Sequence, residues 1–282
     1  MKQIVVISGK GGTGKTVLTA SFAALADNAV FADCDVDAAD LHLLLKPKIR
    51  ERYEFKSGKT AVIDKKHCTQ CGECITICRF NAISEDFIID PISCEGCGIC
   101  SLICPEQAVM MEENLSGDWY ISETKYGPLV HAKLGIAEEN SGKLVTLVRQ
   151  NAKKIAEEQH KDHVIIDGPP GIGCPVVASI TNTDLALIIT EPTLSGIHDM
   201  ERVAAVAEHF GIQTKVVINK YDINLKNTRD IRTICQNKNI EVLAQLPFSE
   251  DVNKSLVKCI PIVELCNSQI TEDITDLWNK VK

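Results

Sequence analysis

The chain has 282 residues and a formal net charge of −8; 45% of its residues are apolar and 24% charged. That balance suits one large α/β domain, or one domain carrying a small module, and excludes a disordered chain. The longest apolar run near the N-terminus is Ile4 to Ile7. This is far short of the ~20 residues of a membrane span or the roughly 7–15 of a signal-peptide core, so the expectation is a cytoplasmic protein with reduced thiols. Of its 13 cysteines, eight fall between Cys68 and Cys104, and Cys34, Cys174, Cys235, Cys259 and Cys266 are scattered. Metal binding is the better reading of the eight than a disulfide framework. The charge is uneven as well. From Asp64 to Glu113 nine acids face only Lys65, Lys66 and Arg79. Neither this acidic block nor the nearly neutral remainder carries the basic stripe of a nucleic-acid binder.

In chain order, Ile4 to Ile7 reads as a buried parallel strand and Lys15 to Ala26 as a helix. Val30 to Ala32 reads as a second strand ending in acids. Later apolar runs (Val164–Ile166, Leu185–Ile189, Val216–Ile218, Val242–Leu246) alternate with helical patterns over Lys143–Glu158, His198–His209 and Thr228–Asn237. Strands alternating with helices predict a doubly wound, mostly parallel sheet. The rhythm breaks from about Tyr53 to Gly135. Tyr53–Phe55 and Thr60–Val62 flank Lys56-Ser57-Gly58-Lys59 and predict a hairpin; Trp119–Ile121 and Leu129–His131 flank a turn at Gly127-Pro128. The expected division is a discontinuous host domain over 1–52 and 136–282. It encloses an inserted α+β module over 64–113, with 53–63 and 114–135 as connecting strands.

Gly9-Lys10-Gly11-Gly12-Thr13-Gly14-Lys15-Thr16 follows a strand and opens a helix, the setting of a phosphate loop. Its glycines let backbone N–H groups converge on phosphates at a helix N-terminus. Lys15 is expected to reach the terminal phosphates and the Thr16 hydroxyl to ligate Mg²⁺. With its early Lys10, the loop resembles the deviant Walker A loop of the MinD/ParA superfamily of P-loop ATPases, the group that includes the nitrogenase iron protein and Mrp-type carriers. The resemblance implies that Lys10 reaches the partner's phosphates across a nucleotide-sandwich dimer. It implies that Asp35 orients or activates the attacking water, that Asp167 holds Mg²⁺ through water, and that Gly168 senses the γ-phosphate. Asn219 would contact adenine; because Asn219-Lys220-Tyr221-Asp222 also fits the N-K-x-D pattern of guanine readers, GTP stays open beside ATP.

Cys68-x2-Cys71-x2-Cys74-x3-Cys78 and Cys94-x2-Cys97-x2-Cys100-x3-Cys104-Pro105 repeat the bacterial ferredoxin spacing. In that pattern the fourth cysteine of each run serves the other cluster. One [4Fe–4S] cluster is therefore expected on Cys68, Cys71, Cys74 and Cys104, the other on Cys94, Cys97, Cys100 and Cys78, with zinc the alternative. Arg79 stands where the first run would carry proline. Cys174, seven residues after Asp167, matches the position of a cluster-ligating cysteine in the nitrogenase iron protein, but no second cysteine accompanies it. It is either a dimer-interface residue or a small buried one. The C-terminal face Ile270, Ile274, Leu277, Trp278 and Val281 is expected to pack on its own domain, since Glu272, Asp273 and Asp276 on the polar side disfavour a membrane.

The combined reading is a dimeric ATPase, homodimeric or paired with a paralogue. It couples ATP binding and hydrolysis to electron transfer through two [4Fe–4S] clusters towards a partner protein. The alternatives are an iron–sulfur or metallocofactor assembly carrier and a MinD-like positioning protein with structural clusters.

Overall fold

A computed structural model of the chain describes residues 1–135 and 141–282. Strand β1 (Lys2–Ser8) is buried from Gln3 onwards and passes through the glycine loop into helix α1 (Lys15–Leu25). Strand β2 (Ala29–Asp33), buried throughout, leads to the short α2 (Leu41–Leu45). Two long strands follow, β3 (Lys48–Ile63) and β4 (Val109–Thr124), separated by the cysteine block with its short helices α3 (Glu73–Ile77) and α4 (Ile99–Ile103). Alternation then resumes with β5 (Gly127–Leu134), α5 (Ser141–Glu158), β6 (His163–Pro170), α6 (Cys174–Ile180), β7 (Leu185–Thr190) and α7 (Leu194–His209). It continues with β8 (Gln213–Asn219), a 3₁₀ turn at Tyr221–Ile223, α8 (Leu225–Asn237) and β9 (Glu241–Leu246). Helices α9 (Glu250–Lys258), α10 (Ile262–Leu265) and α11 (Gln269–Val281) close the chain.

Among the described residues the strand order is β3-β4-β5-β2-β6-β1-β7-β8-β9. Neighbours from β5 through β9 pair in parallel. Parallel neighbours need crossovers, and the intervening helices cover the faces; this is why β1, β2, β6 and β7 are apolar runs rather than alternating ones. The α/β class with a mostly parallel central sheet is therefore as expected. Helix α11 packs inward. Ile270, Ile274, Leu277, Trp278 and Val281 are buried, and the Trp278 ring lies 5.2 Å from Phe22 of α1.

The chain divides into two compact units. The first holds Met1–Tyr53, Trp119–Lys133 and Ser141–Lys282; the second holds Glu54–Asp118 and the stretch that begins at Leu134. The second is longer than the 64–113 block because it takes in outer parts of β3 and β4. The boundary expected at residue 136 lies outside the described residues.

Two local expectations are corrected. Lys56–Lys59 is no turn: β3 runs unbroken through it, with Gly58 at φ +75° and the Ser57 carbonyl accepting from Ser116 Oγ of β4 at 2.6 Å. A glycine flanked by lysines reads as a turn, but glycine also tolerates a positive φ within a strand. The second turn falls at Lys125-Tyr126, two residues earlier than Gly127-Pro128, which belongs to β5. Thr124 holds it, its Oγ1 accepting from Tyr126 N (3.1 Å) and donating to the Gly127 carbonyl (2.8 Å).

His131 on β5 is buried, with Nε2 2.9 Å from Ser122 Oγ and its ring 5.0 Å from Tyr120 and 6.4 Å from His42. Burial, and secondarily His42, pushes its pKa down to about 4 from 6.5. Between those values the unfolded chain binds the proton and the folded one does not. The stabilisation is complete above pH 6.5 and is lost as pH falls through the window. Urea unfolding should show about 2–3 kcal/mol of stability lost between pH 7 and pH 4.5 from this residue. His131→Gln should remove that part of the slope.

Candidate functional site

The carboxyl ends of β1, β2, β6, β7 and β8 face one edge of the sheet, where ligands of open α/β sheets bind. The glycine loop leaves β1 there. Gly12 and Gly14 adopt φ +76° and +96°, and Gly14 forms the left-handed N-cap of α1. A Cβ at Gly14 would stand 2.6 Å from Asn219 Nδ2, so glycine serves both backbone and space. Asn219, at the end of β8, donates through Nδ2 to the Thr13 carbonyl at 2.8 Å. Gly9 is needed for a different reason: a Cβ there would collide with Asp199 of α7. Gly168 of β6 lies against Ile7 of β1 in the same way.

Lys15 is buried, its Nζ 4.0 Å from Asp35 Oδ2. Burial raises the Asp35 carboxyl above its usual range, although Lys15 draws it down. Asp167 of β6 is 1% exposed; Oδ1 accepts from Thr19 Oγ1 at 3.1 Å, while Oδ2 has no hydrogen-bond partner. Burial, against the pull of Lys15 and Thr16, lifts its pKa to about 6. The Thr13 hydroxyl is likewise buried and unpartnered. A cleft of about 540 Å³ runs over Gly11, Gly12, Gly14, Lys15, Thr16 and Asp35 to Asn219 and Phe248. Its phosphate-loop end thus offers a buried cation and a nearby carboxylate oxygen left free. That donor set fits a nucleotide phosphate with its Mg²⁺.

Three features were missed in the sequence. Asp33 is fully buried beside Asp167, its register partner across β2 and β6. Its Oδ1 accepts from Asp35 N (3.2 Å) and its Oδ2 from Leu41 N (3.3 Å). Burial, then the charges of Asp167 and Asp35, push it well above the carboxylate range. Glu191 follows β7 and binds Lys220 Nζ at 2.6 Å and Lys10 Nζ at 3.2 Å. Asp222 accepts from Phe248 N at 2.8 Å, so this carboxylate of the N-K-x-D pattern already braces a loop. Strand-end position signalled the first two; the N-K-x-D pattern marked Asp222, but nothing local signalled its bond to Phe248.

In the second unit none of the eight cysteines is joined in a disulfide. A cavity of about 350 Å³ is lined by Cys78, Cys94, Cys97 and Cys100, together with Ile77, Ile83 and Ile99. A smaller one is lined by Cys68, Cys71, Cys74 and Cys104. Among the described residues no three His, Cys, Asp or Glu side chains stand close enough to share a single metal ion. The two runs repeat in backbone detail. Gln70 and Gly96, Gly72 and Gly98, and Asn81 and Gln107 form pairs of positive φ. The halves interlock, Asp64 N donating to the Ala108 carbonyl and Asp90 N to that of Ala82, both at 2.8 Å. Ala108 N points at Cys104 Sγ (3.3 Å), the hydrogen bond that a thiolate ligand accepts. Four cysteine sulfurs, an apolar wall and N–H support are the donor set that an iron–sulfur cubane takes.

Cys174 is exposed and begins α6, beside Gly142 of α5. Cys34 and Cys235 are buried, whereas Cys259 and Cys266 are only half-buried.

Parallel sheet, glycine loop and strand-end acids together define a P-loop nucleoside triphosphatase fold. The chain belongs to the CobQ/CobB/MinD/ParA nucleotide-binding family, whose model matches residues 4–262, and is a MinD/ParA-like ATPase. It is 37% identical to an uncharacterised protein of Methanocaldococcus jannaschii, over 99% of this chain and 96% of that one. It is 23% identical to the septum site-determining protein MinD of Thermotoga maritima, over 99% and 87%. Its fold matches that of the septum site-determining protein MinD from Pyrococcus horikoshii, solved with Mg-ADP. That match has a TM-score of 0.60 and 17% identity, over 100% of this chain and 96% of that one. No helix among the described residues is long and apolar enough to cross a membrane.

Gly14→Ala should cost about 1–2 kcal/mol from left-handed strain alone and displace Asn219 from Thr13. Urea unfolding and titration with a fluorescent ADP analogue should both register it.

Proposed function

We propose that the chain works as a dimer, in which ATP binding and hydrolysis switch electron transfer through two [4Fe–4S] clusters of the second unit towards a partner protein. The carrying observation is the sorting of eight cysteines into two four-cysteine cavities within a MinD/ParA-like ATPase chain. In this reading Cys68, Cys71, Cys74 and Cys104 hold one cluster and Cys94, Cys97, Cys100 and Cys78 the other. When bound, such clusters supply one-electron transfer at low potential.

At the nucleotide site, Lys15 and the N–H groups of residues 11–16 neutralise phosphate charge. Thr16 and, through water, Asp167 would hold Mg²⁺, the Asp167 Oδ2 oxygen having no hydrogen-bond partner of its own. Asp35, next to Lys15, orients the attacking water. Lys10 acts on the partner's phosphates and Gly168 follows the γ-phosphate. Asn219 lines the base end of the cleft. The engagement of Asp222 with Phe248 favours ATP over GTP.

A second reading, positioning in the manner suggested by the MinD relatives' names, draws on those similarities. The burial of the apolar face of α11 in the chain's own core speaks against a membrane-bound version of it. An assembly carrier is distinguished by transfer of cluster to an apo-acceptor.

Anaerobically purified protein should contain about eight iron atoms per chain, and Cys97→Ser should lose about half of them. The EPR signals of the reduced protein should change between ADP and ATP. Iron-free protein, or signals and hydrolysis indifferent to each other, would overturn the proposal. Asp35→Asn should lower turnover about 10²–10⁴-fold while retaining nucleotide binding, read by phosphate release and by equilibrium titration.

A further inference from the structure

Resting on the ATPase reading above, we infer that Glu191 parks the Lys10 ammonium in the single chain and so sets how readily two chains pair on nucleotide. Strands β1 and β7 are parallel neighbours, with Ile7 opposite Ile188, so the loop after β1 and the turn after β7 emerge side by side. Gly9, lacking a Cβ, lets α7 approach at Asp199. Lys10 thereby comes within 3.2 Å of Glu191 Oε2 and donates to Thr193 Oγ1 at 3.3 Å.

The parking place is rigid. The Glu191 carbonyl accepts from Thr193 N at 2.8 Å, and the Thr190 hydroxyl donates to the Gly196 carbonyl at 2.9 Å. Gly196 packs against the Glu191 carbonyl so closely that no Cβ fits. These contacts fix the Glu191 backbone, and Lys220 holds its carboxylate on the other side.

The pairing is also asymmetric. Glu191 Oε1 takes Lys220 Nζ at 2.6 Å, a shorter contact than Lys10 makes. A buried carboxylate stripped of its partner is costly, but Glu191 keeps Lys220 when Lys10 leaves. Release of Lys10 is therefore the easier of the two separations. Lys220 in turn follows Asn219, its own N–H donating to Asn219 Oδ1 at 3.0 Å, so this counter-ion is fixed to the residue that touches Thr13 of the glycine loop. Lys10 is 30% exposed in its side chain, enough to swing towards a second chain. A residue needed in trans is thus held in cis by a carboxylate that does not depend on it.

Two measurements test this on the full chain. Trace acetylation with acetic anhydride, read by mass spectrometry at Lys10, reports the ion pair without nucleotide. Glu191→Gln, which keeps size and an acceptor oxygen, should raise the Lys10 rate about two- to fivefold over wild type, the range of a partly exposed pair. Glu191→Asp should fall between the two. Sedimentation with Mg-ATP should show the Glu191→Gln dimer forming at a lower chain concentration by a similar factor. An unchanged Lys10 rate, or a weaker Glu191→Gln dimer, overturns the inference. If the wild type neither pairs nor hydrolyses ATP, the ATPase reading fails, and the acetylation rates still decide whether Glu191 holds Lys10.

Discussion

Two carboxylates lie side by side with almost no access to water, and the nucleotide end of the protein is arranged around them. Asp33 ends β2 and pairs in register with Asp167 on the neighbouring β6, both buried. A buried charge needs partners, and the chain supplies them unequally. Asp33 takes two backbone N–H groups and is finished. Asp167 takes a hydroxyl on one oxygen and keeps the other free. Lys15, itself buried, stands across from Asp35 at the outer limit of an ion pair.

The glycine loop follows from the same constraint. The chain must pass from β1 through a tight glycine loop into α1 within a few residues. Gly12 and Gly14 supply the positive φ angles, and Gly9 and Gly168 supply clearance where neighbouring elements close in. Asn219 then ties β8 to the loop at Thr13, so the far wall of the cleft and its floor move together.

Much of this was legible in the chain. Buried parallel strands are continuous apolar runs, and the loop motif carries its own context, so β1, α1, β2 and β6 could be placed from residues alone. Other parts depend on neighbours that a linear reading does not see. Ser57-Gly58 has turn chemistry, yet hydrogen bonding to Ser116 on β4 keeps it in a strand. Gly127-Pro128 looked like the tip of a hairpin, but the Thr124 hydroxyl sets the tip two residues earlier. Glu191 stands at a strand end and Asp222 in an N-K-x-D pattern, yet the partner of each, a lysine from another loop or an N–H from another segment, is invisible in the linear chain. Side chains whose roles come from tertiary partners have no signature of their own.

The interlocked cysteine halves have a consequence for the order in which the protein is made. Asp64 is tied to Ala108, and Asp90 to Ala82. The first cysteine run therefore lacks its anchor until the second has left the ribosome. Strand β3 waits similarly for β4. Roughly the first hundred residues must emerge with β3 unpaired and several thiols exposed. During synthesis this stretch is the chain's most vulnerable to oxidation and to strand-edge aggregation, and the arrival of one short segment, Ala108 into β4, ends both hazards together.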